Sequence, residues 1–305
     1  MTTTYSETIK AKPFLKWAGG KSQLLPEIQS ILSLQFNYCH DPFTYIEPFI
    51  GGGSVLFYML KTFPNLEKVI INDINIDLTV AYQTIKIDPK KLIDTLQEIE
   101  KEYYGLNSID SKNEFFLEKR QEFNQKNTDN NIENTALLVF LNKTCFNGLY
   151  RVNSKGLFNV PFGKYIKPKI CDAENIWSVH ECLQKTIILN GDFEQTLQYV
   201  DKKTLFYLDP PYKPIKTTSS FTSYTKENFG DSDQFRLKEF CDKINETNCK
   251  FIQSNSDVRN YDKKNSFFDE LYKKYNINRV KARRNINSKG AKRGKIDEIL
   301  IDNFI

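Results

Sequence analysis

The run from Leu205 to Tyr212, LFYLDPPY, constrains the fold of this chain more than any other stretch. Its first four residues, Leu205–Leu208, are apolar and rich in aromatic side chains, which predicts a short buried strand. The strand should end at Asp209, because neither of the two prolines that follow can donate to a strand ladder or continue a helix. In an open α/β sheet, ligands bind at the carboxyl ends of the strands, so the pattern predicts a carboxylate at a binding crevice. The alternative interpretation is a strand followed by an ordinary Asp-Pro-Pro turn.

The residues at this strand end suit methyl transfer to an exocyclic amine. The nitrogen of such an amine is a poor nucleophile, because its lone pair is delocalised into the ring. The Asp209 carboxylate and the Pro210 carbonyl can each accept an N–H bond from the amine, drawing the nitrogen toward a tetrahedral state with its lone pair aimed at the methyl group. Tyr212 offers a flat face on which a base can stack, a contact worth about 1–3 kcal/mol.

Length and composition set wider limits. The chain has 305 residues, enough for one large α/β domain carrying an insertion or for two domains. No run approaches the roughly 18 apolar residues that a membrane span needs, and the start MTTTYSETIK lacks a signal-peptide core, so we expect a cytoplasmic protein. Six cysteines without C-x-x-C spacing and only two histidines give no zinc signature and disfavour a Ser-His-Asp or Cys-His hydrolase. We expect no metal.

Two glycine-rich turns precede predicted helices. Gly20-Lys21-Ser22 suggests a phosphate-binding P-loop, but that motif needs a glycine where this chain has Leu15. Backbone amides and Lys21 can still meet an anionic ligand at such a turn. The second turn, Gly51–Gly53, lies between the strand that ends at Glu47 and an apolar helix, which predicts the first βα unit of a nucleotide-type fold.

A second strand, Val69–Asp73, ends in another acid. An acid at this position can bind both hydroxyls of a ribose. Alternatively, Asp73 caps the helix that begins near Asp77.

The pattern changes to helices from about residue 89 to 185, followed by further strands. Within this section, turn chemistry at Asn153–Gly156 between two apolar stretches predicts a β-hairpin with Arg151 and Lys155 near its tip. Such a ribbon can enter a major groove and donate to O6 and N7 of guanine; the alternative is a solvated basic hairpin. Farther on, the aromatic-bearing loop around Tyr224 could hold an extruded base, and the basic loop 283–295 suits contacts to phosphates.

Seven blocks, taken in order, resemble the Dam-type DNA adenine-N6 methyltransferases, particularly the GATC-modifying methylases of restriction–modification systems. The blocks are FLKWAGGK, EPFIGGGSV, IND, NGLYRVNSKGLFNVPFGKY, LDPPY, FTSY and RGKIDEILI. The resemblance covers nearly the whole chain. It implies an α/β fold with a Rossmann-like, S-adenosylmethionine-dependent methyltransferase sheet. Residues 1–90 and 186–305 would form the catalytic domain, and residues 91–185 an inserted, mostly helical target-recognition domain that bears the β-hairpin.

The same resemblance implies roles for individual residues. S-adenosyl-L-methionine would be the cofactor, and no metal is implied. The residues expected to bind the cofactor are Trp17, Lys21, Glu47, Gly51, Gly53, Asp73, Asp192 and Asp209. The residues expected to act on a flipped adenine are Asp209, Pro210 and Tyr212. The residues expected to contact double-stranded DNA are Arg151, Asn153, Lys155, Pro161, Tyr224, Arg283 and Arg284. A companion restriction endonuclease would act on the same site without touching this protein.

The chain departs from the family pattern at two positions of the hairpin. Some members carry an arginine where this chain has Lys155 and an aromatic residue where it has Val152. A lysine contacts guanine as a single point charge rather than as a planar fork. Two other functions stay open at this stage. One is a cytosine-N4 amino-methyltransferase, although those relatives more often have Ser or Asn in place of Asp209. The other is a DNA-binding module or P-loop ATPase without methyl transfer.

Overall fold

A mostly parallel sheet organises the computed structural model, which describes residues 10–17, 19–35, 41–126, 129–212, 229–283 and 295–304. In these ranges the sheet has seven strands in the order β3-β2-β1-β4-β5-β7-β6. The strands are β1 (Phe43–Glu47), β2 (Leu66–Asp73), β3 (Thr186–Asn190), β4 (Thr204–Leu208), β5 (Lys250–Ser256), β6 (Asn276–Arg283) and β7 (Lys295–Asp302). Strands β1 to β5 run parallel, whereas β7 is antiparallel to both of its neighbours, β5 and β6. The carboxyl ends of β1, β2 and β4 therefore meet at one edge, where the strand order reverses between β1 and β4.

Helices cover the sheet and fill the section between β2 and β3. They are α1 (Leu25–Gln35), α2 (Ser54–Thr62), α3 (Ile76–Ile87), α4 (Pro89–Gly105), α5 (Ile109–Asn124), α6 (Asn131–Thr144), α7 (Ala173–Leu183), α8 (Asp231–Glu246) and α9 (Phe267–Leu271). In the parts of the chain that are described, none of them is long and apolar enough to cross a bilayer.

The predicted strand at Leu205–Leu208 is confirmed, and its side chains alternate between two hydrophobic clusters on opposite faces of the sheet. Every residue of β4 is buried, as expected for a parallel strand covered on both faces. Leu205 and Tyr207 pack into one hydrophobic cluster, and Phe206 and Leu208 into another on the opposite face. The first cluster continues into α4, α6 and α7, so the helical section shares its core with one face of the sheet. The division into catalytic and target-recognition domains stays a prediction.

The N-terminal caps of α4 and α3 test two expectations from the sequence. Asp88 accepts a hydrogen bond from the Lys91 amide at the start of α4, with Pro89 in its first turn, as the sequence predicts. The cap of α3 is Asn75, whose side chain accepts from the Leu78 amide at 3.2 Å. The alternative role of Asp73 as the cap of this helix is therefore wrong.

The predicted hairpin turns where expected but pairs weakly. Gly156 has a φ of 78°, and its amide donates to the Asn153 carbonyl at 2.8 Å. Only two isolated antiparallel bridges, Cys145 with Phe162 and Val152 with Phe158, join its arms in the described structure. Asn124 of α5 takes the place of a cross-strand partner, because its side chain bonds both the amide and the carbonyl of Phe158.

Candidate active site

Asp209 lies directly after β4, and its two carboxylate oxygens differ in their surroundings. The Lys21 ammonium lies 2.7 Å from Oδ1, and the Ser254 hydroxyl of β5 donates to the same oxygen at 2.9 Å. Oδ2 has no partner among the described residues. Burial raises the pKa of the Asp209 carboxyl, while Lys21 and Ser254 act in the opposite direction. One oxygen is thus anchored and the other is available to accept a hydrogen bond.

Lys21 joins the first glycine-rich turn to this carboxylate. Its side chain is only 5% exposed, and its ammonium also donates to the Gly19 carbonyl at 2.6 Å. The same ammonium lies 4.6 Å from the centroid of the Tyr212 ring, within the range of a cation–π contact. Its anionic partner in this structure is therefore a side chain of the protein.

Tyr212 has a second partner that the sequence interpretation did not single out. Its hydroxyl donates to Oε2 of Glu298, on β7, at 2.7 Å. Burial raises the pKa of the Glu298 carboxyl, Lys21 and the Tyr212 hydroxyl lower it, and the charge of Asp209 raises it. The available signal was the acidic pair inside RGKIDEILI, but nothing in the sequence tells which strand face Glu298 occupies.

The second glycine-rich turn approaches Asp73 closely. The Gly51 amide donates to Oδ2 of Asp73 at 3.1 Å, and the Tyr82 hydroxyl donates to the Gly51 carbonyl at 3.1 Å. Gly53 has a φ of 73°, and a Cβ there would lie 2.6 Å from the Tyr82 hydroxyl oxygen, so a side chain does not fit. Burial raises the pKa of Asp73 to about 6, against the lowering effect of three backbone amides.

Glu47 and Trp17 border the same turn. Glu47 ends β1 fully buried and accepts from the Tyr45 hydroxyl at 2.7 Å; burial raises the pKa of this carboxyl well above its usual range. The Trp17 ring covers the turn, because a Cβ on Gly51 would lie 3.0 Å from its Cδ1 atom. Trp17 also stacks on Tyr150 of the hairpin segment with ring centroids 5.2 Å apart, so it links the turn to that segment.

Asp192 makes no hydrogen bond or ion pair to these groups in the described part of the chain and is held by other residues. It follows β3, accepts from the Glu194 amide at 2.9 Å, and pairs with Arg236 of α8 at 3.0 Å. Its carboxylate is about half exposed.

The hairpin residues differ in how freely they face solvent. Arg151 is held within the hairpin, because its Nε donates to Oδ1 of Asn159 at 2.8 Å. The Asn153 side chain accepts from the amides of Lys155 and Leu157, which builds the turn. Lys155 is exposed at the tip.

The remaining predicted DNA contacts are only partly described. Pro161 is exposed, and its carbonyl accepts from the Phe146 amide at 2.8 Å. Arg283 ends β6 opposite Lys295. The side chain of Arg283, and Tyr224 and Arg284 altogether, lie outside the described residues.

A basic cluster adjoins the hairpin. Lys143, at the end of α6, has no hydrogen-bond or ion-pair partner among the described residues. The pKa of Lys143 is lowered to about 8, chiefly by burial and also by Lys16, Lys12 and Lys169, while Asp172 acts in the opposite direction. The nearby carboxylate, Asp172, already pairs with Lys169 at 2.7 Å and Lys12 at 3.5 Å. The cluster therefore carries an excess of positive charge.

This sheet, with its antiparallel β7 and with acids at the carboxyl ends of β1, β2 and β4, has the architecture of a Rossmann-like methyltransferase. The family described as D12 class N6 adenine-specific DNA methyltransferase matches residues 17–286, and the chain belongs to this family.

Three relatives illustrate its range. The type II methyltransferase M.MjaIII of Methanocaldococcus jannaschii is 47% identical over 298 residues, covering 97% of this chain and all of the relative. The type II methyltransferase M1.LlaDCHI of Lactococcus lactis is 37% identical, covering all of this chain and 99% of the relative. The DNA adenine methylase of Escherichia coli is 32% identical, covering 95% of each chain.

Membership of this family decides between the functions that the sequence left open. The protein is an adenine-specific DNA methyltransferase, so it acts on DNA and uses a methyl donor. The interpretations as a cytosine-N4 enzyme, a DNA-binding module without catalysis or a P-loop ATPase are set aside.

Proposed function

We propose that the enzyme moves the methyl group of S-adenosylmethionine to N6 of an adenine flipped out of duplex DNA, within the sequence GATC. The observation that carries this proposal is the asymmetry of Asp209, which offers Oδ2 at the carboxyl edge of the sheet while Oδ1 is anchored by Lys21 and Ser254. Only β1 separates this acid from Asp73 and its glycine turn, since the strands are ordered β2-β1-β4.

The groups at the ends of β1 and β2 fit the methyl donor. Asp73 can accept from both ribose hydroxyls. It accepts from the Gly51 amide, at a position where a Cβ would lie 3.0 Å from the Trp17 ring. Glu47 and Trp17 border the same space, and Asp192 lies at the end of the neighbouring strand β3. When bound, S-adenosylmethionine supplies a methyl group already activated by a positively charged sulfur.

The protein's contribution to the reaction is to hold the adenine amine and to accept its hydrogen bonds. Oδ2 of Asp209 and the Pro210 carbonyl each accept one N–H of the amine, which fixes the direction of the nitrogen lone pair. Tyr212 stacks on the base and keeps it out of the duplex. As N6 gains the methyl carbon, the bond from that carbon to the donor sulfur breaks and leaves S-adenosylhomocysteine, and N6 loses one proton, which Asp209 or water takes up. The raised pKa of Asp209 makes it a better acceptor for that proton than an exposed carboxylate would be.

Radiolabelled S-adenosylmethionine tests the proposal directly. We expect label on adenine in a duplex containing one GATC site, and none in a duplex where that adenine is replaced. Label on adenine outside GATC would contradict the site assignment alone. Label on cytosine or on the protein, or the absence of heat when S-adenosylmethionine is titrated into the protein, would contradict the reaction.

Lys155 is expected to read a guanine. Replacing Lys155 with alanine should reduce the preference for GATC over sites altered at that guanine by about 1–3 kcal/mol. The measurement compares kcat/KM on GATC with kcat/KM on each single-base variant. Lys155→Arg should retain the preference or strengthen it, because a guanidinium fork contacts O6 and N7 together. A uniform loss on every sequence would show that Lys155 contacts only phosphate.

The positive charge of the unpaired Lys143 is expected to destabilise the fold and to strengthen DNA binding. Its pKa in the folded protein lies below that of an exposed lysine, so protonation at pH 7 opposes folding, and stability should rise with pH from about 8 to about 10.5. Lys143→Met should therefore raise the free energy of unfolding at pH 7 by about 2 kcal/mol. It should also weaken DNA binding and reduce the salt slope by about one ion, through loss of a phosphate contact.

Urea unfolding and DNA titrations over a range of salt concentrations measure both effects. Lys101→Met, at an exposed position of α4, is the matched control for loss of one positive charge. Unchanged DNA affinity in Lys143→Met would show that the basic cluster does not face the duplex.

Two broader expectations accompany the proposal. A companion endonuclease that cuts the same site is expected from the likeness to type II methyltransferases, and a cytoplasmic location is expected from the DNA substrate.

A further inference from the structure

We infer that Glu298 is a positioning residue, which holds the Tyr212 ring in the orientation needed to capture the target base. The inference rests on the role proposed above for Tyr212. It concerns a side chain on β7, which belongs to the antiparallel part of the sheet and has no role in the function described so far.

The backbone of Glu298 is well suited to fix another group. Strand β7 lies between β5 and β6, and Glu298 is in register with Ser256 on one side and Val280 on the other. A residue in the interior of a sheet, paired on both sides, has little freedom to move. Alternation along the strand places Glu298 on the same face as Leu300, which packs in the same cluster as Tyr207.

Tyr212, in contrast, has little local support. It follows the two prolines at the end of β4 and is not part of a strand or helix. Its ring is held from two directions: the hydroxyl donates to Glu298 at 2.7 Å, and the Lys21 ammonium lies 4.6 Å from the ring centroid. A hydrogen bond to a charged acceptor is stronger and more directional than a neutral one. Glu298 can therefore set the angle of the ring without touching the base or the methyl group.

The charges support this arrangement. The Lys21 ammonium lowers the pKa of the carboxyls of both Asp209 and Glu298, and Tyr212 contacts Glu298 through its hydroxyl and that ammonium through its ring. The Tyr212 hydroxyl gives Glu298 a donor in a place where burial would otherwise favour the protonated carboxyl. Loss of the Tyr212 hydroxyl and loss of the Glu298 carboxylate should consequently have the same effect, because either one removes the hydrogen bond that holds the Tyr212 ring.

A double-mutant cycle tests this equivalence. Tyr212→Phe keeps the ring and removes its donor, and Glu298→Ala removes the acceptor. Each is expected to reduce kcat/KM for DNA by about 10-fold, and the double variant should be no worse than either single variant. Glu298→Gln, whose amide oxygen still accepts from the hydroxyl, should stay within about threefold of the wild type.

A second measurement separates positioning from a purely structural role. With 2-aminopurine in place of the target adenine, the fluorescence increase on binding reports base extrusion, and it should fall in Tyr212→Phe and in Glu298→Ala alike. The matched control is Asp297→Asn, the adjacent acid on β7, which alternation places on the opposite face. It should leave both measurements unchanged.

The outcomes are distinct. Effects that multiply in the double variant, or an unchanged Glu298→Ala, would overturn the inference. If Glu298→Ala does not fold, Tyr212→Phe carries the test alone, and wild-type base extrusion in that variant would overturn the inference. Failure of the wild-type enzyme to label adenine from S-adenosylmethionine would instead contradict the proposed function.

Discussion

Asparagine in place of Asp209 is expected to slow methyl transfer by about 10³-fold, with DNA affinity within about threefold of the wild type. Loss of one preorganised electrostatic contact to the reacting group typically costs a factor of about 10²–10³. Asp209→Asn also turns one of the two oxygens into a donor, so the side chain can no longer satisfy Lys21 and Ser254 at one atom and accept from the adenine amine at the other.

The measurement is the single-turnover rate of methyl incorporation into a duplex with one GATC site, beside fluorescence anisotropy for DNA affinity. Asp94→Asn makes the same charge change on α4, where Asp94 pairs with the exposed Lys90, and it should leave the rate unchanged. A rate for Asp209→Asn within tenfold of the wild type would show that the carboxylate does not contact the amine.

The parts of the site that lie within one stretch of sequence could be predicted before the structure was known. The strand at Leu205–Leu208 and its end at Asp209 follow from local rules, since an apolar run bounded by two prolines has few alternatives. The Gly51–Gly53 turn and the strand ending at Asp73 were predicted for the same reason. Parallel strands then bring the carboxyl ends of β2 and β4 to one edge of the sheet.

Contacts between distant segments could not be predicted in this way. The hydrogen bond from Tyr212 to Glu298 spans 86 positions of the chain, and it depends on which face of β7 the carboxylate occupies. The pairing of Lys21 with Asp209 joins the first turn to β4, and the sequence offered only an unspecified anion as its partner. Such contacts are decided by packing, which no local pattern encodes.

The hairpin shows the same limit at short range. Its turn at Asn153–Gly156 follows from composition, but the contact of Arg151 with Asn159 depends on register. Helix α7 lies in the section predicted to be mostly helical, but its bounds were not predicted, although Asp172 precedes it and Ile176, Val179 and Leu183 follow at helical spacing.

The pairing of Lys21 with Asp209 leads to the second large expected effect. Lys21→Met should destabilise the fold by about 3 kcal/mol at pH 8, because it leaves a buried carboxylate without its ammonium partner. Loss of Lys21 removes a charge that lowers the pKa of Asp209, so the folded-state pKa rises further above the unfolded value. A carboxyl with a raised folded pKa opposes folding when it is ionised. The destabilisation should therefore be largest above that pKa and should shrink as the pH falls through it.

Adding Asp209→Asn to Lys21→Met separates the charge from the packing. The double variant keeps a neutral pair of similar shape, so it should recover most of the lost stability and lose the part of the pH dependence that comes from Asp209, while staying inactive in methyl transfer. The part that comes from Glu298, whose pKa Lys21 also lowers, should remain. Urea unfolding at pH 8 and pH 5.5 on the wild type, both single variants and the double variant gives the coupling free energy. If the double variant were instead less stable than either single variant at both pH values, the two charges would act independently on the free energy of unfolding. Lys21 would then not be the group that anchors the carboxylate at the edge of the sheet.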